Sequence, residues 1–248
     1  MGLQTIVLTS GTSWTRPANC PNILTSVECW GGGAPGETSP ANQTRSAGGG
    51  DGGYYSKKNN YSIGSQTIIS IQIPGNTTAG NIPIDTWFDN NSTGILAKSG
   101  GSGSTSIGDI IYAGGNGGNA ANALNKGGAG GGGSASTTGN GVNGSSASGT
   151  TQGPGGDAGP ESNAAGGTGN SEAGTSNVLG GGGAAGGDAI IPLDPGGDGG
   201  DPGGGGGGGG KGNYSSSALG GNGGRGQIRI MYYTKVGTIP TQLLTLYN

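Results

Sequence analysis

Histidine is absent from this 248-residue chain, phenylalanine occurs once, and only 9% of the residues are charged. Without histidine, neither a Ser-His nor a Cys-His nucleophile pair can be assembled. A hydrolase that uses two carboxylates needs an apolar pocket to raise the pKa of its acid, and apolar residues reach only 29%. We therefore predict that the chain is not an enzyme and that it holds no cofactor.

Basic clusters and long apolar runs are also missing. The net charge is -3. The sequence therefore lacks the cluster of Lys and Arg that is typical of a nucleic-acid-binding protein. No apolar run of about 18 residues predicts a membrane span, and the first ten residues lack the pattern of a signal peptide. Cys20 and Cys29 flank a strand-like segment that would hold them too far apart for a disulfide. We expect free thiols and synthesis in a cytoplasm.

What the chain has in excess is glycine, 66 residues in all, most of which lie between about Ser99 and Arg225. Triplets recur there, as in Gly196-Gly197-Asp198-Gly199-Gly200-Asp201. Three residues per turn is the period of polyproline II, which has no internal hydrogen bonds and needs neighbouring segments as partners. A flexible linker is the alternative reading of such composition. We favour an ordered bundle in which Gly203 to Gly210 is interior and outer segments carry Asn, Asp, Ser or Pro at the exposed third position.

Strand patterns enclose the glycine tract. Residues 22–30 and 227–233 alternate or are β-branched and should share one β unit, because the tract offers them no partner. A hairpin is expected from Ile84 to Lys98. The predicted fold class is all-β: a small β-sandwich of N-terminal strands and a C-terminal strand, with a polyglycine/polyproline II bundle inserted. The expected divisions are 1–98 for the sandwich strands, 99–225 for the bundle, and 226–248 for the closing strand and tail.

Several motifs resemble the glycine-rich domain of bacteriophage tail and tail-fibre adhesin proteins. They are Trp-Thr-x-Pro at 14–17, Val-Glu-Cys-Trp-Gly-Gly-Gly at 27–33, Gly-Gly-Tyr-Tyr-Ser at 52–56, Ile-Gly-Asp-Ile-Ile-Tyr-Ala-Gly-Gly at 107–115 and Gly-Arg-Gly-Gln-Ile-Arg-Ile at 224–230. The resemblance covers nearly the whole chain. It implies a β-sandwich that anchors stacked polyglycine helices, with variable connecting loops that touch the host receptor.

The function implied by this resemblance is that of a virion structural protein of a tailed phage, acting in host attachment at a tail fibre or tail tip. The implied partners are other virion tail or fibre proteins and a host cell-surface receptor, and the implied location is the virion. Homo-oligomerisation stays open, because the sequence shows neither heptads nor an interface patch. Two alternatives are a capsid or baseplate decoration protein without host binding, and an ice-binding protein.

Recognition should depend on the segments between glycine runs, where residues with side chains replace glycine. Loops held by a rigid scaffold lose little conformational entropy on binding. The candidate receptor-binding residues are Leu124, Asn125, Val178, Ile191 and Tyr214. No metal site is predicted. The weak alternative is a calcium site at Asp194, Asp198 and Asp201, whose carboxylates follow glycines as in calcium-binding β-rolls but at a different spacing.

Overall fold

A computed structural model describes residues 2–41, 45–121, 126–188, 194–211 and 217–235. These residues contain no α-helix, and their regular structure consists of β-strands, which confirms the all-β fold class. In chain order the strands are β1 (Leu3–Leu8), β2 (Ser13–Thr15), β3 (Ile23–Trp30), β4 (Tyr55–Ser62), β5 (Ile68–Gln72), β6 (Thr86–Phe88), β7 (Ile95–Ala97), β8 (Ile110–Tyr112) and β9 (Gln227–Tyr233).

The strands form two antiparallel sheets with the orders β1-β9-β3-β4-β8 and β2-β5-β6-β7. β3 and β9 pair directly, with Val27 opposite Ile230, so the two strands that flank most of the glycine tract do share one β unit, as predicted. The predicted hairpin is also confirmed, because β6 pairs with β7. The chain leaves the larger sheet at Trp30, returns to it for β4 and β8, and enters it for the last time at Gln227.

Side chains from both sheets fill the space between them. Leu24, Val27 and Ile230 of the larger sheet and Ile69 and Phe88 of the smaller one are fully buried in a single cluster. Both cysteines lie in the same cluster as free thiols, which confirms the predicted state. Desolvation, with a smaller contribution from the neighbouring Glu28 carboxylate, raises the pKa of the Cys29 thiol far above its ordinary value.

The glycine-rich part is an ordered array of extended segments joined by backbone hydrogen bonds. We number its twelve segments in chain order: pg1 (31–37), pg2 (46–53), pg3 (113–119), pg4 (127–136), pg5 (140–146), pg6 (153–159), pg7 (164–168), pg8 (172–175), pg9 (181–188), pg10 (194–200), pg11 (203–211) and pg12 (217–226). At the polyproline II rise of about 3.1 Å per residue, pg11 is about 25 Å long.

The hydrogen bonds in this array repeat every three residues. In pg4, the amide of Gly131 donates to pg9, that of Gly132 to pg2 and that of Gly133 to pg5, and Ser134 donates to pg9 again. Meanwhile pg4 accepts bonds from pg3, pg6 and pg11. This is the threefold pattern expected of polyproline II helices packed side by side. pg4, pg9 and pg11 bond to one another and are enclosed by the other nine segments, which bond in a closed ring.

Close packing explains the glycine content of the interior. A Cβ atom added at Gly206 would lie 2.2 Å from the carbonyl oxygen of Gly221, and one at Gly207 would lie 1.9 Å from that of Ala185. Gly203 to Gly210 is buried throughout, as predicted for an interior segment. The interior also holds Ala129, Ala184 and Ala185, all fully buried.

The array draws on more of the chain than residues 99–225. pg1 and pg2 precede residue 99, and they flank pg11: Gly206 donates to Ala34 and Gly50 donates to Gly206. Conversely, β8 follows residue 99 and pairs with β4 in the larger sheet. Each region thus takes segments from both sides of that point, because interior segments need neighbours on all sides to satisfy their amides.

Candidate functional site

Successive segments of the array run in opposite directions. Each bonds antiparallel to the next in chain order; Gly130 and Gly133 of pg4, for example, donate to Ser145 and Val142 of pg5. Since pg1 starts directly after β3 and pg12 leads directly into β9, the sandwich lies at one end of the bundle. We call this the proximal end and the opposite one the distal end.

The alternation divides the connections between the two ends. At the proximal end, residues 54–112 connect pg2 to pg3 through the strands β4 to β8, and the other connections are short: 137–139, 160–163, 176–180 and 201–202. The distal connections are 38–45, 120–126, 147–152, 169–171, 189–193 and 212–216. Several of these distal connections contain residues outside the described ranges, but the residues that flank them are described and fix the end at which they leave and re-enter the bundle.

Of the five predicted receptor-binding residues, only Val178 is described. Leu124, Asn125, Ile191 and Tyr214 lie outside the described residues, in connections whose flanking residues are distal. Val178 is described and belongs to a proximal connection, where its side chain is exposed and its carbonyl oxygen accepts a 2.8 Å hydrogen bond from Nε2 of Gln227. Val178 is therefore placed at the proximal end, and the other four residues stay a prediction.

Next to Val178, the proximal end is attached to the sandwich. The indole Nε1 of Trp30, fully buried at the end of β3, donates to the carbonyl oxygen of Leu179 at 3.2 Å. Trp30 packs edge-on against Tyr55 with ring centroids 5.0 Å apart, and Ala135 of pg4 completes this second cluster. Part of the proximal end is thus covered by the sandwich and is not available for a partner.

At the distal end, backbone pairing continues to the last described residues. Lys126 and Lys211 form an antiparallel bridge, and so do Ser39 and Ala218. The side chain of Lys211 is buried, and its Nζ donates to the carbonyl oxygen of Pro40 at 2.8 Å. These bonds anchor the bases of the connections 38–45, 120–126 and 212–216 beside one another. The distal connections therefore start from a fixed framework.

Asp194 organises a second part of the distal end. Its Oδ1 accepts a hydrogen bond from the hydroxyl of Ser171 at 2.9 Å, and its Oδ2 accepts one from the amide of Asp188 at 2.8 Å. The same hydroxyl also lies 2.6 Å from the carbonyl oxygen of Pro195. This nearly buried carboxylate ties the connection 169–171 to the ends of pg9 and pg10.

Asp198 and Asp201 have different partners and do not converge with Asp194. Oδ1 of Asp198 accepts from the amide of Asn222, and Oδ1 of Asp201 accepts from the amide of Arg225, whose Nε is 3.0 Å from Oδ2 of Asp201. Among the described residues, no group of three or more Asp, Glu, His or Cys is arranged to hold a metal ion. The three carboxylates serve instead as hydrogen-bond acceptors for backbone amides.

The same role recurs along the outer face of the bundle, at every third residue. The amides of Ala113 and Asn116 in pg3 donate to the Oδ1 atoms of Asn140 and Asn143 in pg5, each at 2.8 Å. The amide of Asn119 continues the ladder to the hydroxyl of Ser146 at 3.1 Å. An outer segment has no neighbouring segment on one side. These side chains therefore accept hydrogen bonds from amides that would otherwise face only water.

Proline occupies the same outward position elsewhere. In pg6, Gly153 and Gly156 donate to pg4 and Gly155 donates to pg7, which leaves position 154 facing outward. Proline has no amide proton, and an outward-facing position has no neighbouring segment that could accept one, so a proline there costs no hydrogen bond. Pro195 in pg10 is placed in the same way. At these positions the outward residue thus either carries a side-chain acceptor for a neighbouring amide or lacks an amide of its own.

Glu172 closes the distal connection 169–171. Its Oε2 accepts hydrogen bonds from the amides of Gly169 at 2.6 Å and Thr168 at 2.8 Å. These bonds lower the pKa of Glu172, first through Gly169 and then through Thr168. Ser171 in the same connection has a positive φ of 53°. The turn is therefore held by a carboxylate and by a backbone conformation that a non-glycine residue rarely adopts.

A search of curated proteins finds no match to this chain. A family model described as a glycine-rich domain matches residues 7–233, from the first strand through β9. The match spans both sheets and the whole bundle. The chain belongs to this glycine-rich domain family. The described residues contain no helix of the length and apolarity that crossing a membrane requires.

Proposed function

We propose that the chain is a virion structural protein of a tailed bacteriophage and that it acts in host attachment, with its distal end as the receptor-binding surface. The observation that carries this proposal is the alternation of segment direction, by which the segment ends that flank six connections all lie at the end of the bundle remote from the sandwich. Glycine segments have few side chains for specific contacts. Recognition must therefore depend on the connections.

The framework beneath those connections suits this role. Lys211, Asp194 and Ser171 bond to backbone and side-chain atoms of neighbouring connections, so the bases of the distal connections are fixed before any ligand arrives. Fixing a binding loop in advance lowers the entropy cost of association. The sequence of a connection can also change with little effect on the bundle, because its segments are joined mainly by hydrogen bonds between backbone atoms.

The proposed partners are a host cell-surface receptor at the distal end and other tail or fibre proteins on the remaining surface. A decoration protein that binds no host molecule is the competing proposal. Ice binding, the third alternative, would require a regular flat face on the bundle. The outward positions of pg10 carry Pro195 and the carboxylate of Asp198, Asp201 follows directly after pg10, and this irregular, charged surface disfavours ice binding.

The test compares distal with proximal substitutions in the purified chain. We expect Tyr214→Ala and Leu124→Ala to weaken binding to host cells by at least about tenfold, the loss of about 1.4 kcal/mol, while the melting temperature stays unchanged. Val178→Ala is the matched control, since Val178 is an exposed apolar residue at the proximal end.

Binding that is unaffected by both distal substitutions, or reduced by Val178→Ala alone, would contradict the assignment of the distal end. Antibodies against the protein could label phage particles in immunoelectron microscopy while the purified wild-type protein does not bind host cells. That result would support the decoration protein instead. Thermal hysteresis in the purified protein would support ice binding.

A further inference from the structure

The sandwich carries an apolar groove at its pole remote from the bundle. Ile23 begins β3 and Tyr233 ends β9, and both side chains remain about half exposed, at 55% and 51%. They line the groove together with Pro21 and the buried Leu24, and the cavity measures about 450 Å³. Exposed aliphatic and aromatic side chains that meet in one concave surface are typical of a binding site.

The described chain ends on the rim of this groove. Thr234 and Lys235 are themselves lining residues. Their backbone positions are fixed, because the amide of Thr234 donates to Gly2 and the amide of Lys235 donates to Asn19. Whatever follows Lys235 therefore starts at the groove without any intervening linker.

The residues that follow have a composition that matches the groove. Residues 236–248 lie outside the described residues, and their sequence contains no charged side chain. It is rich in large apolar residues: Ile239, Leu243, Leu244, Leu246 and Tyr247. In a chain with only 29% hydrophobic residues, this is an unusually apolar stretch. Its exposure to water would be unfavourable.

We propose that the groove lined by Pro21, Ile23, Leu24 and Tyr233 binds the chain's own residues 239–247. The attachment at Lys235 makes this binding intramolecular, and a short connection sets an effective concentration on the order of millimolar. A second copy or a different protein would have to displace a segment that is covalently attached to the rim. This proposal does not depend on the proposed role in host attachment.

The test measures amide hydrogen exchange of the full chain by mass spectrometry. We expect amides of residues 239–247 to exchange at least about tenfold more slowly than in the free peptide of the same sequence, because docking restricts their opening. Ile23→Gln should abolish that protection. Since the Ile23 side chain is mostly exposed, the substitution should leave the protection of buried β3 and β9 amides unchanged.

Ile68→Gln provides the matched control. Ile68 is 63% exposed on β5 of the other sheet and does not line the groove. Protection of 239–247 should persist in this variant. Leu244→Asp, the reciprocal change in the tail, should remove the protection as Ile23→Gln does.

Three outcomes would overturn the proposal. Unprotected amides in the wild-type chain would show that the groove does not hold this segment. Equal protection in wild type and Ile23→Gln would show that the segment is ordered elsewhere. Protection that disappears on dilution, together with a dimer mass in light scattering, would show that the groove is occupied by a second copy.

Discussion

In the β-sandwich the interior is filled by side chains such as Phe88 and Ile230, whereas the interior of the glycine bundle holds almost none. The sandwich gains stability from burial of apolar surface, at about 25 cal/mol per Å². The bundle gains it from backbone hydrogen bonds, each with a net value of about 0.5–1.5 kcal/mol, repeated along every segment. One chain thus combines two kinds of interior, one intolerant of removed atoms and the other of added ones.

Gly206→Val tests the intolerance of the bundle interior and should have the largest effect. The added Cβ would meet the carbonyl oxygen of Gly221 at 2.2 Å, so pg11 and pg12 must separate and their shared hydrogen bonds must weaken. We expect the free energy of unfolding to fall by about 4 kcal/mol or more, the range of severe substitutions. Chemical denaturation would measure it.

Gly103→Val is the control for this substitution. No heavy atom lies within 4 Å of a Cβ at Gly103, and its φ is not positive. We expect a change within about 0.5 kcal/mol. Similar losses at both positions would contradict the close packing of pg11.

Phe88→Ala tests the sandwich in the opposite direction, by removing atoms. Phe88 is fully buried and packs against Trp14 and Tyr61, with ring centroids 5.9 and 5.8 Å away. We expect a loss of about 3–4 kcal/mol, since truncation of a buried phenylalanine leaves a cavity. Phe88→Leu should restore much of the stability. Equal melting temperatures for wild type and Phe88→Ala would contradict the assignment of Phe88 to the core.

Asn143→Ala tests the outer ladder of the bundle, with a smaller expected effect. It removes the acceptor of the Asn116 amide, so that amide should exchange faster in hydrogen-exchange NMR. The loss in stability should be about 0.5–1 kcal/mol, the net value of one hydrogen bond. Asn143→Asp keeps an acceptor oxygen, so the Asn116 amide should exchange in this variant at the wild-type rate. Faster exchange of that amide in both variants would argue against the ladder.

Glu172 should give the smallest effect, visible as a dependence on pH. Hydrogen bonds from Gly169 and Thr168 lower its pKa in the folded state. Its contribution to stability is therefore complete above the unfolded pKa of about 4.3 and is lost as the pH falls through the lower folded pKa. Melting temperatures measured from neutral pH to below the folded pKa of Glu172 should fall less steeply in Glu172→Gln than in wild type. The same dependence of melting temperature on pH in both proteins would contradict this role of Glu172.

The sequence predicted the sandwich better than the limits of the bundle. Alternation in residues 227–233 indicated a strand, and the lack of any other partner indicated its pairing with β3. The participation of pg1 and pg2 was missed, because Gly31 to Gly33 and Gly48 to Gly53 are too short to show a period of three by themselves. Which segment borders which depends on long-range hydrogen bonds that no local pattern encodes.

For the candidate site, the sequence indicated which residues stand between glycine runs but not the end at which each lies. Val178, which Leu179 follows, and Tyr214 both stand in short segments between glycine runs. Only the direction of the preceding segment distinguishes them. The role of Asn140 and Asn143 as amide acceptors had a detectable signal, since they lie three residues apart, but their partners Ala113 and Asn116 were not predictable.

The outer ladder also bears on chemical ageing of the protein. Asn140-Gly141 and Asn143-Gly144 are dipeptides of the kind most prone to deamidation, in which the glycine amide nitrogen attacks the asparagine side-chain carbonyl carbon. Here the amide of Gly141 is bonded to Ala113 and that of Gly144 to Asn116, while each asparagine oxygen accepts a bond from pg3. Attack requires both partners to leave the ladder, so we expect these asparagines to persist for as long as the bundle stays folded.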